Sequence, residues 1–436
     1  MHYAFYKLNV LNIVFLKWGN KLNIKNFRVV MFILPLIVIF MLSSIYGGLS
    51  TKLLLIGALV YIYYLAWTSK NNVFVITVVF ISTYIFYLIP YFFFNYDYAT
   101  RQDYQVHDVA HISFHYLVAF VVGFLSVLYM AKKDCLDLDD RLPLQPNSVI
   151  YAFCISILLL FTALSINLSG TALTISYKEV TESRYAFIDY SLVFTLLAYV
   201  FAPTVRSKNL LLVVAVLYIM VSLVYGLRLR AIQMLILIFV LYYERRFSPK
   251  IVLSASFLGL VLMQLWGELR IGDDAFLQRD YVIVSNQGGV FLNANMYIGL
   301  VRDGYISSSE RITTFLGNIL SIGYSQSELP EKFNLAKLAG NFFSIPGGGL
   351  ITGYLYVWGG VFGLLLGVLL ISKIYSLMFS SSSNKFFMIY GVIIIATMPR
   401  WFAYSPIHFF KMGVWAVGLY FVFSIIDNRM IRNEKL

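Results

Sequence analysis

Charge is what this chain has least of. Asp, Glu, Lys and Arg make up 12% of its 436 residues, roughly half the share of a soluble globular chain. With a mean hydropathy of +0.78, that scarcity excludes an ordinary soluble enzyme. Cysteine is scarcer still. The two cysteines are Cys135, in an expected cytoplasmic loop, and Cys154, in an expected span, so no disulfide framework is expected. The sequence holds no Walker loop, no EF-hand loop and no Cys/His zinc spacing. The short alternating segments of an outer-membrane barrel are missing too. No cleavable leader is evident. Lys7, Lys17, Lys21, Lys25 and Arg28 instead precede the first apolar run, which reads as a retained cytoplasmic end. The 33 Lys and Arg against 21 Asp and Glu give a net charge of +12. Nucleic acid is not implied, because these cations are scattered at the ends of apolar runs, as membrane topology requires.

What the chain does have is apolar runs of helix length, from Phe27 to Ile426. The expected fold is all-α and polytopic, with about twelve transmembrane helices. The expected spans are 28–47, 51–68, 72–94, 108–131, 148–168, 186–203, 209–227, 229–244, 250–267, 350–372, 385–400 and 410–427. An even count puts both termini on one side. Nineteen of the 33 Lys and Arg fall on that side, in the termini and in the loops at 70, 132–141, 206–208, 245–250 and 373–385. Eight fall in the short loops opposite, so both termini are expected to be cytoplasmic. The organisation is residues 1–267 as spans one to nine, 268–349 as one large outer loop, and 350–436 as the last three spans and a cytoplasmic tail. Apolar residues such as Phe291, Tyr297, Phe315 and Leu316 suggest that the loop packs on the outer mouth of the bundle. No internal repeat is visible, which weakens an inverted-repeat transporter reading.

Against this pattern, Arg228 and Arg230 stand out. They lie in Tyr225-Gly226-Leu227-Arg228-Leu229-Arg230-Ala231, a turn on the side that avoids cations. The eighth span has about 16 residues and is roughly 24 Å long, against roughly 30 Å of hydrocarbon. The turn is therefore expected to be recessed, where polar backbone is tolerated only against protein or a water-filled cavity. A cation so placed marks a bound anion, and the planar guanidinium fork suits a phosphate. The competing reading is snorkelling, or pairing with an acid of another span. Arg184 closes the loop ahead of the sixth span and Arg400 ends the eleventh, with His408 in the same outer loop. Glu268 and Arg270 end the ninth span, as a self-neutralising pair or as members of a site.

His107, His111 and His115 share one helix face at i, i+4 and i+8. They read as lining a polar lumen or bonding to other spans, and only weakly as a metal site. Gly347, Gly348 and Gly349 open the tenth span, followed by Gly353, Gly359, Gly360, Gly363 and Gly367. This is a pattern for close helix approach and a hinge, or for backbone N–H groups facing an anion.

Together these features resemble the Wzy-type polymerases of O-antigen and related repeat-unit polysaccharides. The resemblance covers the length, the span count and the late outer loop. It is sharper in Gly226-Leu227-Arg228-Leu229-Arg230 and in the stretch from Pro346 to Gly363, which is similar to the family's glycine-rich loop running into an acid, an aromatic and Gly-x-x-Gly. Gly353 stands here where an acid is common. The resemblance implies a GT-C-like membrane glycosyltransferase of the bacterial inner membrane. It would move a growing glycan from undecaprenyl pyrophosphate onto the next lipid-linked repeat unit at the periplasmic face, with no metal and no cofactor. Membrane lipids and a chain-length regulator are the implied partners. Residue chemistry agrees with this. A departing pyrophosphate needs cations in a low-dielectric cavity, and Arg184, Arg228, Arg230, Arg270 and Arg400 are the candidates, Arg230 foremost. The acceptor hydroxyl needs a base, for which Glu268, Glu179 and His408 are candidates. An O-antigen ligase and a flippase or transporter of lipid-linked glycans are the competing functions.

Overall fold

The computed structural model describes residues 48–95, 109–131, 142–166, 186–243, 247–268, 287–324, 329–343, 348–378 and 384–433. Every regular element among them is helical. In chain order these are α1 (Gly48–Thr68), α2 (Asn72–Phe86), α3 (Ile89–Phe94), α4 (Ala110–Ala131), α5 (Ser148–Leu164) and, after a 3-10 turn at Ala186–Tyr190, α6 (Ser191–Phe201). There follow α7 (Val205–Val224), α8 (Arg228–Ile238) with a π-turn at Phe239–Tyr243, α9 (Pro249–Glu268), α10 (Gln287–Arg302) and α11 (Ser308–Leu320). The last are α12 (Leu335–Gly340), α13 (Ile351–Met378), α14 (Lys385–Ala396), α15 (Met398–Trp401) and α16 (Ile407–Asn433).

Six stretches are long and apolar enough to cross a membrane: Thr51–Thr68, Asn72–Phe94, Ala110–Tyr129, Val205–Val224, Ile351–Ser376 and Ile407–Met430. Shorter apolar helices lie at the expected fifth, sixth, ninth and eleventh spans, and α8 with its π-turn lies at the eighth. The first expected span falls outside the described residues. Exposed surface on these helices is apolar, as at Val60, Val213, Phe362 and Phe421, which is what contact with lipid tails requires.

One end of the bundle is defined by caps. Asn71, Asn147, Thr204 and Asn384 each accept from backbone N–H groups at the start of α2, α5, α7 and α14, satisfying donors that a helix start leaves open. The same end is tied laterally. Gln145 and Asn147 donate through their backbone N–H groups to Val200 and Phe201, and Asn147 Nδ2 donates to Asp427. The Tyr242 hydroxyl reaches Lys208 O and Asn72 Nδ2 reaches Phe247 O. Lys208 lies over the Tyr199 ring and Lys250 over the Trp67 ring. Two of the cations expected on the cytoplasmic side, Lys208 and Lys250, therefore lie at this end.

Two elements depart from the expected layout. The first is α10. It falls within the expected outer loop, yet Asn293, Asn295, Tyr297 and their neighbours are buried in the bundle, and Asn293 Nδ2 donates to Gly348 O. The second is α13. Its backbone breaks at Gly360, with φ 60° and ψ −146°, a conformation essentially confined to glycine. An ideal Cβ on Gly363 would lie 2.3 Å from Leu355 O. In an unbroken helix those residues, eight apart, are roughly 12 Å apart along the axis. The helix thus folds back on itself, and the nine residues before the break are too short to cross a bilayer alone. Length and composition admit 350–372 as one rod, but the Gly359-Gly360 pair breaks it. The hinge reading of these glycines holds, and Arg311 Nε caps the Val357 carbonyl beside the break at 2.5 Å. Gly353 serves close approach: a Cβ there would come within 2.8 Å of Ala294 Cα on α10.

Candidate functional site

The turn that carries the two arginines is built by its own sequence. Gly226 (φ 72°) ends α7, and the N–H of Leu227 closes back on Ser222 O at 2.6 Å, a glycine-terminated helix cap. The chain re-enters a helix at once, so Arg228 and Arg230 occupy the first turn of α8. No acid and no capping side chain is present there. Two cations at the positive end of a helix are unfavourable without an anion nearby.

Asp189 supplies that anion. It lies in the 3-10 turn ahead of α6. Its Oδ1 accepts from Arg230 Nε at 2.7 Å and from Arg400 Nη2 at 3.1 Å. Its Oδ2 meets Arg400 Nη1 at 2.8 Å. The carboxylate thus receives the full fork of Arg400 and a third bond from Arg230. The side chains are 12% exposed for Asp189, 6% for Arg230 and 20% for Arg400. Among the described residues, two guanidinium groups thus converge on one carboxylate. His408 completes the group, with its Nε2 3.5 Å from Arg400 Nη1. Arg400 Nε is buried and meets no acceptor among the described residues.

Each arm of the site is fixed locally. Arg400 sits on the single-turn helix α15, opened by Pro399 and held by Trp401 Nε1 donating to Ile394 O at 2.8 Å. The backbone of Tyr404 and Ser405 returns to Arg400 O. Beyond it, Ile351 N donates to Phe402 O and the Tyr354 hydroxyl to Tyr404 O, so the start of α13 abuts the same strand of chain. Asp189 and Arg230 each lie 13 residues from the capped end of the bundle, at Ala202 and Tyr243, and Arg400 lies 15 from Lys385. At 1.5 Å per residue that is roughly 20–22 Å in all three cases. The three charges therefore meet at one level.

Of the residues singled out in the sequence, the fold brings together Arg230, Arg400 and His408. Arg230 takes the reading in which it pairs with an acid of another span. Arg228 is half-buried at the start of the same helix. Arg184, Arg270 and Glu179 lie outside the described residues. Glu268 is the last residue of α9 and its side chain is likewise outside them. His115 is buried and bonds through Nδ1 to the carbonyl of His111, whose own Nδ1 meets Thr51 Oγ1 at 3.0 Å. These two serve helix contacts, and His107 lies outside the described residues. Among the described residues no three His, Cys, Asp or Glu gather as metal ligands.

Asp189 is the residue that the sequence reading passes over. The signal is present: an acid in Phe187-Ile188-Asp189-Tyr190, inside the expected sixth span, where an ionisable group is costly without a partner. Compared with protein-family models, curated proteins and solved structures, the chain matches none.

Proposed function

We propose that this chain is a Wzy-type polymerase that joins undecaprenyl-pyrophosphate-linked repeat units into O-antigen or a related surface polysaccharide. On this reading it crosses the bacterial inner membrane twelve times with both termini cytoplasmic, and segment 268–349 belongs to the periplasmic side. One observation carries the reading: Arg230, Arg400 and His408 gather around Asp189 in one largely buried cluster. In the reaction the acceptor hydroxyl oxygen bonds to the anomeric carbon as the bond to pyrophosphate breaks, and the hydroxyl proton passes to a base. Charge grows on the departing pyrophosphate, and fixed guanidinium groups in a dry site stabilise that charge without reorganising. Asp189 holds both forks in place and is too heavily bonded to act as the base. His408, beside Arg400, and Glu268 are the candidates for that base. Arg228, Arg184 and Arg270 remain candidates for the second phosphate. Neither metal nor cofactor enters this scheme.

A second reading rests on the same geometry. A bidentate Arg400–Asp189 pair with Arg230 also clamps three segments, and a clamp needs no ligand. The test is complementation of a deletion strain with Arg230→Ala and Arg400→Ala, read as lipopolysaccharide on gels beside the amount of folded protein in the membrane. Single-repeat-capped lipopolysaccharide with normal protein supports the polymerase. A full ladder overturns it, and loss of the protein itself supports the clamp. A ligase would leave polymer on undecaprenyl pyrophosphate. A flippase would accumulate lipid-linked units on the cytoplasmic side.

A further inference from the structure

The polarity of α11 is reversed. Its inward face carries Thr314, Gly317 and Asn318, all buried, and Arg311, which reaches across to the Val357 carbonyl. Its outward face carries Ile312, Phe315, Leu316, Ile319 and Leu320, all exposed, from 60% at Ile312 to 38% at Phe315. The spacing i, i+3, i+4, i+7, i+8 makes one continuous apolar stripe. A helix on the surface of a water-soluble domain turns such a stripe inward.

Three observations say what covers it. At its N-terminus α11 is in water: Ser307 and Glu310 form a capping box, and Ser307, Ser308 and Ser309 are exposed. Its C-terminal end is tied to α16, where Trp415 Nε1 donates to Ile322 O at 2.9 Å and Lys411 Nζ to Tyr324 O at 3.2 Å. Trp415 lies eight residues into α16, roughly 12 Å along it. The stripe thus ends beside exposed apolar residues of a helix long enough to cross a membrane, Val414 and Trp415 on α16. We propose that α11 is a membrane-seated helix, with its apolar stripe in the acyl chains of the leaflet and its capped end in water. Thirteen residues, roughly 20 Å, do not cross a bilayer, so the helix slants in from one side and returns. This inference does not depend on the polymerase reading.

The test uses the full chain in phosphatidylethanolamine–phosphatidylglycerol vesicles, with Cys135→Ala and single cysteines placed at Ser308, Ile312, Leu316 or Ile319 for nitroxide labelling. Cys154 is fully buried, and the parent without an added cysteine must take no label. Oxygen concentrates in hydrocarbon and a nickel chelate in water. We expect the ratio of their collision rates to invert between Ser308 and Leu316, with Ile319 like Leu316. Nickel dominating at Leu316 and Ile319 overturns the proposal, because the stripe then faces water. Low collision with both reagents and an immobilised label at those positions also overturns it, because protein then covers the stripe.

Discussion

Removing Asp189 tests whether the arginine site is held by its own counter-ion. Asp189→Ala deletes three hydrogen bonds and leaves Arg230 and Arg400 facing each other in a site where the side chains are only 6% and 20% exposed. Breaking a buried pair by removing one partner costs roughly 3–5 kcal/mol, and partial exposure of Arg400 moves the expectation to about 3 kcal/mol. Arg230→Ala leaves the Arg400 fork on Asp189 intact and loses one charged hydrogen bond, about 1.5–3 kcal/mol. The double variant is the decisive one. With Asp189 absent, Arg230 and Arg400 lose the anion they share, so removing one of the two cations lessens the repulsion between them. Asp189→Ala/Arg230→Ala should therefore be no less stable than Asp189→Ala alone, with a coupling of about 1–3 kcal/mol. Cys154 supplies the assay. Its thiol is fully buried and becomes reactive to a maleimide fluorophore when the bundle opens, so heating in detergent in a Cys135→Ala background gives a midpoint for each variant. Unfolding in such a scan is irreversible, so the order of the midpoints carries the argument. Additive losses in the double variant would refute the shared-counter-ion account.

Other outcomes follow from the same geometry. Gly360→Leu should lower the thiol-exposure midpoint, since a side chain at φ 60°, ψ −146° costs about 1–3 kcal/mol. Gly353→Asp should lower the same midpoint, because the new Cβ meets Ala294 at 2.8 Å. The Ser307 hydroxyl and N–H hold the Glu310 carboxyl below its usual 4.5, so the capping box is complete above the ordinary carboxylate range and is lost as pH falls below it. Amide protection factors at 310–312, corrected for the intrinsic pH dependence of exchange, should fall in acid, and not in Glu310→Gln. Reporter fusions at Arg228 and Arg245 should report opposite sides, and a cytoplasmic signal at Arg228 would sink the recessed-anion argument.

Local rules of sequence were enough to read much of this molecule. Long apolar runs predict helices at 51–68, 108–131 and 209–227, and the structure has them at Gly48–Thr68, Ala110–Ala131 and Val205–Val224, because each satisfies its own backbone, whatever surrounds it. The Arg228–Arg230 turn is legible for the same reason, since Gly226 and a short following run fix it locally. Asp189 was harder to weigh, because one acid in an apolar run has meaning only once its partners, 41 and 211 residues away, are known. The fold-back of α13 was half legible: the glycines mark a hinge, but its angle depends on Leu355 and Arg311. For α10, Phe291 and Tyr297 mark a segment that packs on the bundle, but its depth was illegible, because Asn293 is accommodated by the carbonyl of Gly348, 55 residues away.

The helices that lead to the arginine site are the short ones. α6, α8 and α14 pack on one another and hold 11, 11 and 12 residues, roughly 16–18 Å of regular helix each. On the proposed topology, a bilayer of roughly 30 Å dents around them, and the insulating layer is thinnest beneath Arg230 and Arg400. A membrane potential falls across insulation, so the field is steepest there. Each elementary charge carried through the whole potential exchanges about 2.3 kcal/mol per 100 mV. An anion that descends only into the dent traverses a small part of that drop, so its binding should respond weakly to voltage.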